Sequence, residues 1–125
     1  MADQKKQFTK VNELRPLDNG LNLIVKVVNA KTVVQRGRPQ GRLAECLVGD
    51  QTGMIVFAAR NDQVDLVKDG NTLVLTNAKI DMFKGAMRLA VDRSGRIEVD
   101  STANLYVDET NNLSLIEFER VDVVV

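Results

Sequence analysis

The stretch Leu43–Ala59, LAECLVGDQTGMIVFAA, holds two apolar runs separated by Asp50-Gln51-Thr52-Gly53. Aspartate, threonine and glycine supply turn geometry between runs that suit strands, so the stretch reads as a β-hairpin. Upstream, LNLIVKVVNAKTVV (Leu21–Val34) is rich in β-branched residues and reads as one long strand. Leu21, Leu23, Val25 and Val27 share one face of it, with Lys26 on the other.

Downstream, RNDQVDLVKDG reads as a short helix of at most two turns. Asn61 or Asp62 is its cap, Val64, Leu66 and Val67 are its apolar residues, and Lys68-Asp69-Gly70 is its end. NTLVLTNAKIDMF is another strand, Lys84-Gly85 a tight turn, and AMRLAVD the antiparallel return, with Met87, Leu89 and Val91 alternating against Arg88 and Ala90. Three strands, a helix and two strands is the order of the OB-fold, an all-β, five-stranded Greek-key barrel with a short helix between strands three and four. An open α+β sheet is the rival architecture. Beyond Asp92, RSGRIEV, ANLYVDE and LSLIEFERVDVVV read as short strands that complete the barrel wall or cover an open edge. The expected organisation is one domain over residues 1–125, with a flexible amino terminus at 1–7 and an acidic C-terminal β extension at 93–125.

Composition narrows the function. The 125 residues suffice for one core, and 44% apolar with 27% charged residues is the balance of a soluble globular chain. No apolar run approaches the ~20 residues of a membrane span, and MADQKKQF lacks the apolar core of a signal peptide. A nuclear or cytoplasmic setting, with no membrane contact, is expected. Histidine is absent and cysteine occurs once, as Cys46 in an apolar strand, where it reads as a core residue. The commonest general base is therefore missing, no ordinary zinc site can be assembled, and no catalytic or phosphate-cradling motif stands out. The expectation is a non-enzyme with no catalytic residues, no metal and no cofactor.

The formal net charge of zero conceals a split. Met1–Arg96 has sixteen Lys or Arg against ten Asp or Glu, whereas from Ile97 onward only Arg120 faces seven carboxylates. A basic body of this sort suits a polyanion. QRGRPQGR (Gln35–Arg42) concentrates Arg36, Arg38 and Arg42 between the first two strands, in a loop that overhangs the groove where such barrels bind. Guanidinium forks can clamp phosphates there, aided by Lys26, Lys31 and Lys84 near the same groove.

F-x-K (Phe8, Lys10), LNLIVKV, the R-x-A-E-C-L-V-G-D-x-T-G run from Arg42 to Gly53, and IDMFKGAMRLAVDRSGRIE resemble the family of the OB-fold component of the sensor-of-single-stranded-DNA (SOSS) complex, particularly its plant relatives. The likeness spans Phe8 to Phe118. It implies an OB-fold that binds single-stranded DNA or RNA without catalysis. In better-known members, aromatic side chains on the outer sheet stack on bases; matched through T-G and F-K-G, those positions fall on Arg60, Lys79, Phe83 and Ala90. Phe83 alone is aromatic, and each missing platform withdraws ~1–3 kcal/mol of stacking.

Strand alternation tests that carry-over. With Ile80 and Met82 inward, Lys79, Asp81 and Phe83 point outward; with Met87, Leu89 and Val91 inward, Arg88 and Ala90 point outward. The expected nucleic-acid site is therefore Arg36, Arg38, Arg42, Arg60, Lys79, Phe83, Lys84 and Arg88. The competing reading is a protein-interaction or self-associating domain whose interface is the outer sheet, through Leu43, Leu47, Val56 and Ala58; the scarcity of aromatics, 4% with no tryptophan, favours it. Tyr106, in an acidic stretch, is expected to pack. Glu117, Glu119 and Asp122 are candidates to fold back over the basic groove.

Overall fold

The structure, a computed structural model, describes residues 8–35, 42–100 and 105–118, and of 31–35 and 42 the backbone alone. Six strands form one sheet: β1 (Leu21–Gln35), β2 (Arg42–Asp50), β3 (Gly53–Arg60), β4 (Thr72–Phe83), β5 (Ala86–Ala90) and β6 (Arg96–Val99). Their order is β1-β2-β3-β5-β4-β6, and pairing of β1 with β4 closes the first five into a barrel. The OB-fold expectation is met, and the structure adds a parallel β3–β5 pair at Val56–Arg88 and Phe57–Leu89.

One strand can serve two neighbours because β1 is irregular. Its register shifts between Val27 and Asn29 and between Ala30 and Val33. Leu21–Lys26 pairs with β4, and the stretch from Lys26 to Gln35 with β2. Such irregularities bend a strand and raise its twist, which closure demands. Leu23, Val25 and Val27 point into the barrel with Ala44, Cys46, Val48, Ile55, Phe57, Leu73, Leu75 and Leu89, all buried. Each fully buried Leu, Ile or Phe side chain contributes ~1.5–3 kcal/mol.

The hairpin turn has a second role. The buried Asp50 carboxylate accepts from its own turn, Thr52 N–H (2.8 Å) and Thr52 Oγ1 (2.6 Å), and from Val11 N–H (3.0 Å) in the N-terminal 3-10 turn Val11–Glu13. It thereby pins the N-terminal segment under β3, where Val11 and Leu14 complete the core.

Two expectations need correction. The element between β3 and β4 is a five-residue 3-10 helix, Asn61–Asp65, and neither Asn61 nor Asp62 caps it. Asn61 takes a left-handed φ of 54°, and the Gln63 side chain accepts from Arg60 N–H instead (3.0 Å). Of the C-terminal strand candidates, only Arg96–Val99 is a strand among the described residues, pairing with β4. Residues 105–109 are irregular, and Leu113–Leu115 form a 3-10 turn. The physical reason lies in their partners. This chain segment hydrogen-bonds with side chains as well as backbone, filling a gap in the sheet instead of extending it.

That gap lies along β3. Strand β5 meets β3 only at Val56 and Phe57, leaving the N–H groups of Met54 and Val56 to other acceptors. Met54 N–H donates to the Asn111 carbonyl (2.7 Å), and Val56 N–H to Ser114 Oγ (2.9 Å), whose hydroxyl donates on to the Met87 carbonyl of β5 (2.6 Å). Leu113 enters the core between them, only 5% exposed. Farther on, Phe118 N–H donates to the Gly85 carbonyl (2.8 Å). Two glycines permit the approach: a Cβ on Gly53 would meet Asn111 at 2.8 Å, and one on Gly85, at φ +81°, would meet the Phe118 carbonyl at 3.0 Å.

Candidate nucleic-acid interface

Cross-strand register assigns the outer face residue by residue. Leu43 lies opposite Arg60, Glu45 opposite Ala58 and Leu47 opposite Val56. Val56 is paired with Arg88, Asp81 with Arg88, Lys79 with Ala90 and Phe83 with Ala86. Side chains alternate across a strand, so Arg60, Lys79, Phe83, Arg88 and Ala90 share the side away from the core. Phe83 is 47% exposed, whereas Ala90 is buried. The Lys84-Gly85 turn has φ values of 52° and 81°, the left-handed pair of a type I′ hairpin.

Phe83 is set among cations. Arg88 Cζ stands 4.1 Å and Lys84 Nζ 5.3 Å from its ring centroid, within cation–π range. The Arg88 guanidinium also reaches across β3, where Val56 and Ala58 are small, to a close ion pair with Glu45 on β2. Lys79 Nζ is shared between Asp81 and Asp92, 3.6 Å from each. Hydrogen bonds from the Ser94 hydroxyl and N–H hold the Asp92 carboxyl below its ordinary value, with Lys79 adding to the effect.

This pairing alters the electrostatic picture drawn from sequence. The described outer face sets Arg60, Lys79, Lys84 and Arg88 against Glu45, Asp81 and Asp92. Two of the four cations are already neutralised at rest. Glu45, Asp92 and Arg93 escaped the sequence reading; Glu45 was legible in principle, since alternation puts it beside Leu43 and Leu47. Arg93 joins Arg60 in lining a recess that continues the face past β5.

Arg36 and Arg38 lie outside the described residues. Arg42 opens β2 opposite Gln35, which roots that loop at the Leu43–Arg60 end of the face. The Phe83-Lys84-Gly85 turn stands at the other end, beside Phe118. Lys26 lines a separate recess with Val28, Gly70 and Tyr106 instead of joining Lys84, and no side-chain position is described for Lys31. Tyr106, expected to pack, is 78% exposed there. Among the described residues no group of three or more Cys, Asp or Glu side chains is placed to hold a metal ion.

Comparison with known proteins agrees with this architecture. Residues 14–99 match the family described as single-stranded DNA binding protein Ssb-like, OB fold. The chain belongs to that family. It is 49% identical to an uncharacterised protein of Arabidopsis thaliana over 132 aligned positions, covering 96% of this chain and 86% of that one. It is 29% identical to the single-stranded DNA binding protein Ssb of Saccharolobus solfataricus over 82 positions, 64% of this chain and 55% of that protein. The solution structure of a hypothetical Arabidopsis thaliana protein superposes with a TM-score of 0.80 at 47% identity, covering 99% of this chain and 94% of its own.

Proposed function

We propose that this Ssb-like OB domain binds single-stranded DNA or RNA, without catalysis, across the outer face of β2, β3, β5 and β4. The observation that carries the reading is the cluster at Phe83, a half-exposed aromatic ring with Arg88 at 4.1 Å and Lys84 at 5.3 Å on the outer sheet of an Ssb-like barrel. A base stacks on the ring or on the guanidinium plane lying over it, while Lys84, Arg60 and Lys79 meet phosphates. Arg36, Arg38 and Arg42 supply further phosphate contacts from the connection rooted at the far end of the face. With one aromatic platform, such binding is dominated by charge and shows modest sequence preference.

The acidic partners on the face give the reading a mechanism. A phosphate that reaches Arg88 or Lys79 competes with Glu45, Asp81 or Asp92, so binding exchanges internal ion pairs for external ones and its net gain per contact is small. Binding also ought to fall steeply with salt, by about 0.7 in the logarithmic slope for each phosphate neutralised on a single strand. Fluorescence anisotropy of labelled DNA and RNA oligomers against salt tests this. Changing Arg36, Arg38 and Arg42 to alanine should nearly abolish binding; undiminished binding removes them from the site.

A second reading, self-association or protein docking through the same side, draws on Leu115, Ile116 and Phe118. These are 78%, 47% and 38% exposed along the C-terminal segment; Leu115 borders half-buried Leu47 and Val56, whereas Ile116 and Phe118 line a neighbouring recess with Leu14 and Met87. Sedimentation of the free protein separates the readings: an oligomer that dissociates on Leu47→Asp supports docking, and a monomer that binds oligonucleotide supports the first.

A further inference from the structure

We propose that the recess between β2, β3 and the C-terminal segment is a nucleobase subsite that selects guanine. The inference rests on the single-strand reading above and assigns a base preference to one part of that face. The recess has a volume of about 170 Å³ and is lined by Glu45, Cys46, Leu47, Val56, Asn112 and Leu115. Leu47, Val56 and Leu115 make an apolar slot suited to a flat ring. Two polar residues, Glu45 and Asn112, are part of its lining, and the side chains of both are held in place.

Glu45 is oriented by Arg88, which engages Oε2 and is itself stacked on Phe83. That leaves Oε1, and the remaining lone pairs of Oε2, to accept hydrogen bonds. The carboxylate keeps 44% side-chain exposure, so a ligand can reach it. Asn112 Oδ1 accepts from Ser114 N–H (3.0 Å), which turns its amide nitrogen to donate elsewhere. Ser114 is in turn tied to Val56 and Met87, so the wall carrying Asn112 and Leu115 is anchored to the barrel.

The lining of the recess therefore combines two acceptor oxygens, from Glu45, with an N–H donor, from Asn112. Guanine presents the complement: adjacent N1–H and N2–H donors next to the O6 acceptor. Thymine and uracil have a single ring N–H, leaving half of the carboxylate unpaired. Adenine and cytosine set a ring-nitrogen lone pair beside their amino group, against the carboxylate. The Glu45 carboxylate disfavours a phosphate inside the recess itself, so the recess takes a base edge while the backbone contacts fall to the cations around it.

The test is anisotropy at fixed salt with the full chain and short labelled thymidine oligomers carrying one central guanine, inosine, adenine or cytosine. Inosine keeps O6 and N1–H but lacks the N2 amino group. Guanine is expected to bind tighter than inosine by roughly ten-fold, within the range for a bidentate base contact. Glu45→Gln should remove that ratio while raising affinity for the all-thymidine host, because Arg88 is released towards phosphate. Leu115→Ala, at an exposed position outside the core, should shrink the ratio as well. Equal affinity for guanine and inosine with host binding intact overturns the subsite and leaves the proposed function standing. A guanine preference that survives both substitutions also overturns it. Failure of every oligomer to bind overturns the single-strand reading and the subsite with it.

Discussion

The two faces of β2, β3 and β5 are built from alternate residues of the same segments and follow different rules. On the inner face Ala44, Cys46, Val48, Ile55, Phe57, Ala59, Met87 and Leu89 are all buried, and each needs only to be apolar and of fitting size. On the outer face the side chains form two sets of pairwise contacts, Glu45–Arg88–Phe83 and Asp81–Lys79–Asp92, in which each side chain depends on another. The inner face tolerates volume-conserving swaps among hydrophobes. The outer face does not obey composition in that way, because removing one charge sets its partner free to act elsewhere.

The strongest way to break the comparison is to cut both faces at a phenylalanine. Phe57→Ala should cost ~3–5 kcal/mol of stability by urea denaturation, since it empties the centre of the core. Phe83→Ala should cost less than about 1 kcal/mol of stability, yet withdraw ~1–3 kcal/mol from oligonucleotide binding by anisotropy. If the two substitutions destabilise alike, the outer ring is a core residue and the division of labour fails.

Leu113 tests whether the C-terminal segment belongs with the inner face. Its side chain joins the core from the far end of the chain, so Leu113→Ala should lower stability by ~2–3 kcal/mol, while Leu115→Ala two residues away should leave it nearly unchanged.

A smaller effect is expected at the Glu45–Arg88 pair. Because Glu45 keeps substantial exposure, Glu45→Gln should change stability by under about 1 kcal/mol. Its signature is in binding, where the freed guanidinium should steepen the salt slope by about 0.7, one additional phosphate contact. An unchanged slope would mean that Arg88 is committed to Phe83 and unavailable to the ligand.

The smallest expected effect concerns acid. Asp92 is held below its ordinary value of 3.8 by the Ser94 hydroxyl and N–H, and Asp108 likewise by those of Thr110. A lowered carboxyl favours the folded state above pH 3.8, and that contribution fades as pH falls through the lower folded value. Denaturation midpoints should therefore be flat from about pH 5 to 8, in a chain without histidine, and decline only in stronger acid. Ser94→Ala should shrink the Asp92 part of that decline, because the folded carboxyl then lies closer to its ordinary value.

How legible each region was in the sequence follows from the same division. Burial on strands has a period of two, so Leu23-Val25-Val27, the LAECLVGDQTGMIVFAA hairpin and the Lys84-Gly85 turn could be read locally, and with them the barrel. The outer positions Lys79, Phe83 and Arg88 followed from that period too. Their pairing did not: Glu45 and Arg88 are 43 residues apart, and nothing local announces that they meet. The C-terminal segment was least legible. Ser114 and Asn111 stand in for a missing strand with a hydroxyl and a bent backbone, a solution with no periodicity, and alternation wrongly suggested a strand.

Ser114 also makes the seam between β3 and β5 depend on a residue near the carboxyl end. Amide exchange at Val56 should thus report on the far terminus: Ser114→Ala should speed exchange at Val56 and leave Val48, deep in the β2–β3 ladder, protected. The same linkage governs experiments that shorten the chain to remove its acidic residues. A cut before Asn111 takes Leu113 and Ser114 with it and unzips the barrel wall, whereas a cut after Phe118 removes Glu119 and Asp122 and leaves the seam closed. Comparing the two lengths separates the effect of charge on nucleic-acid affinity from the effect of an opened barrel.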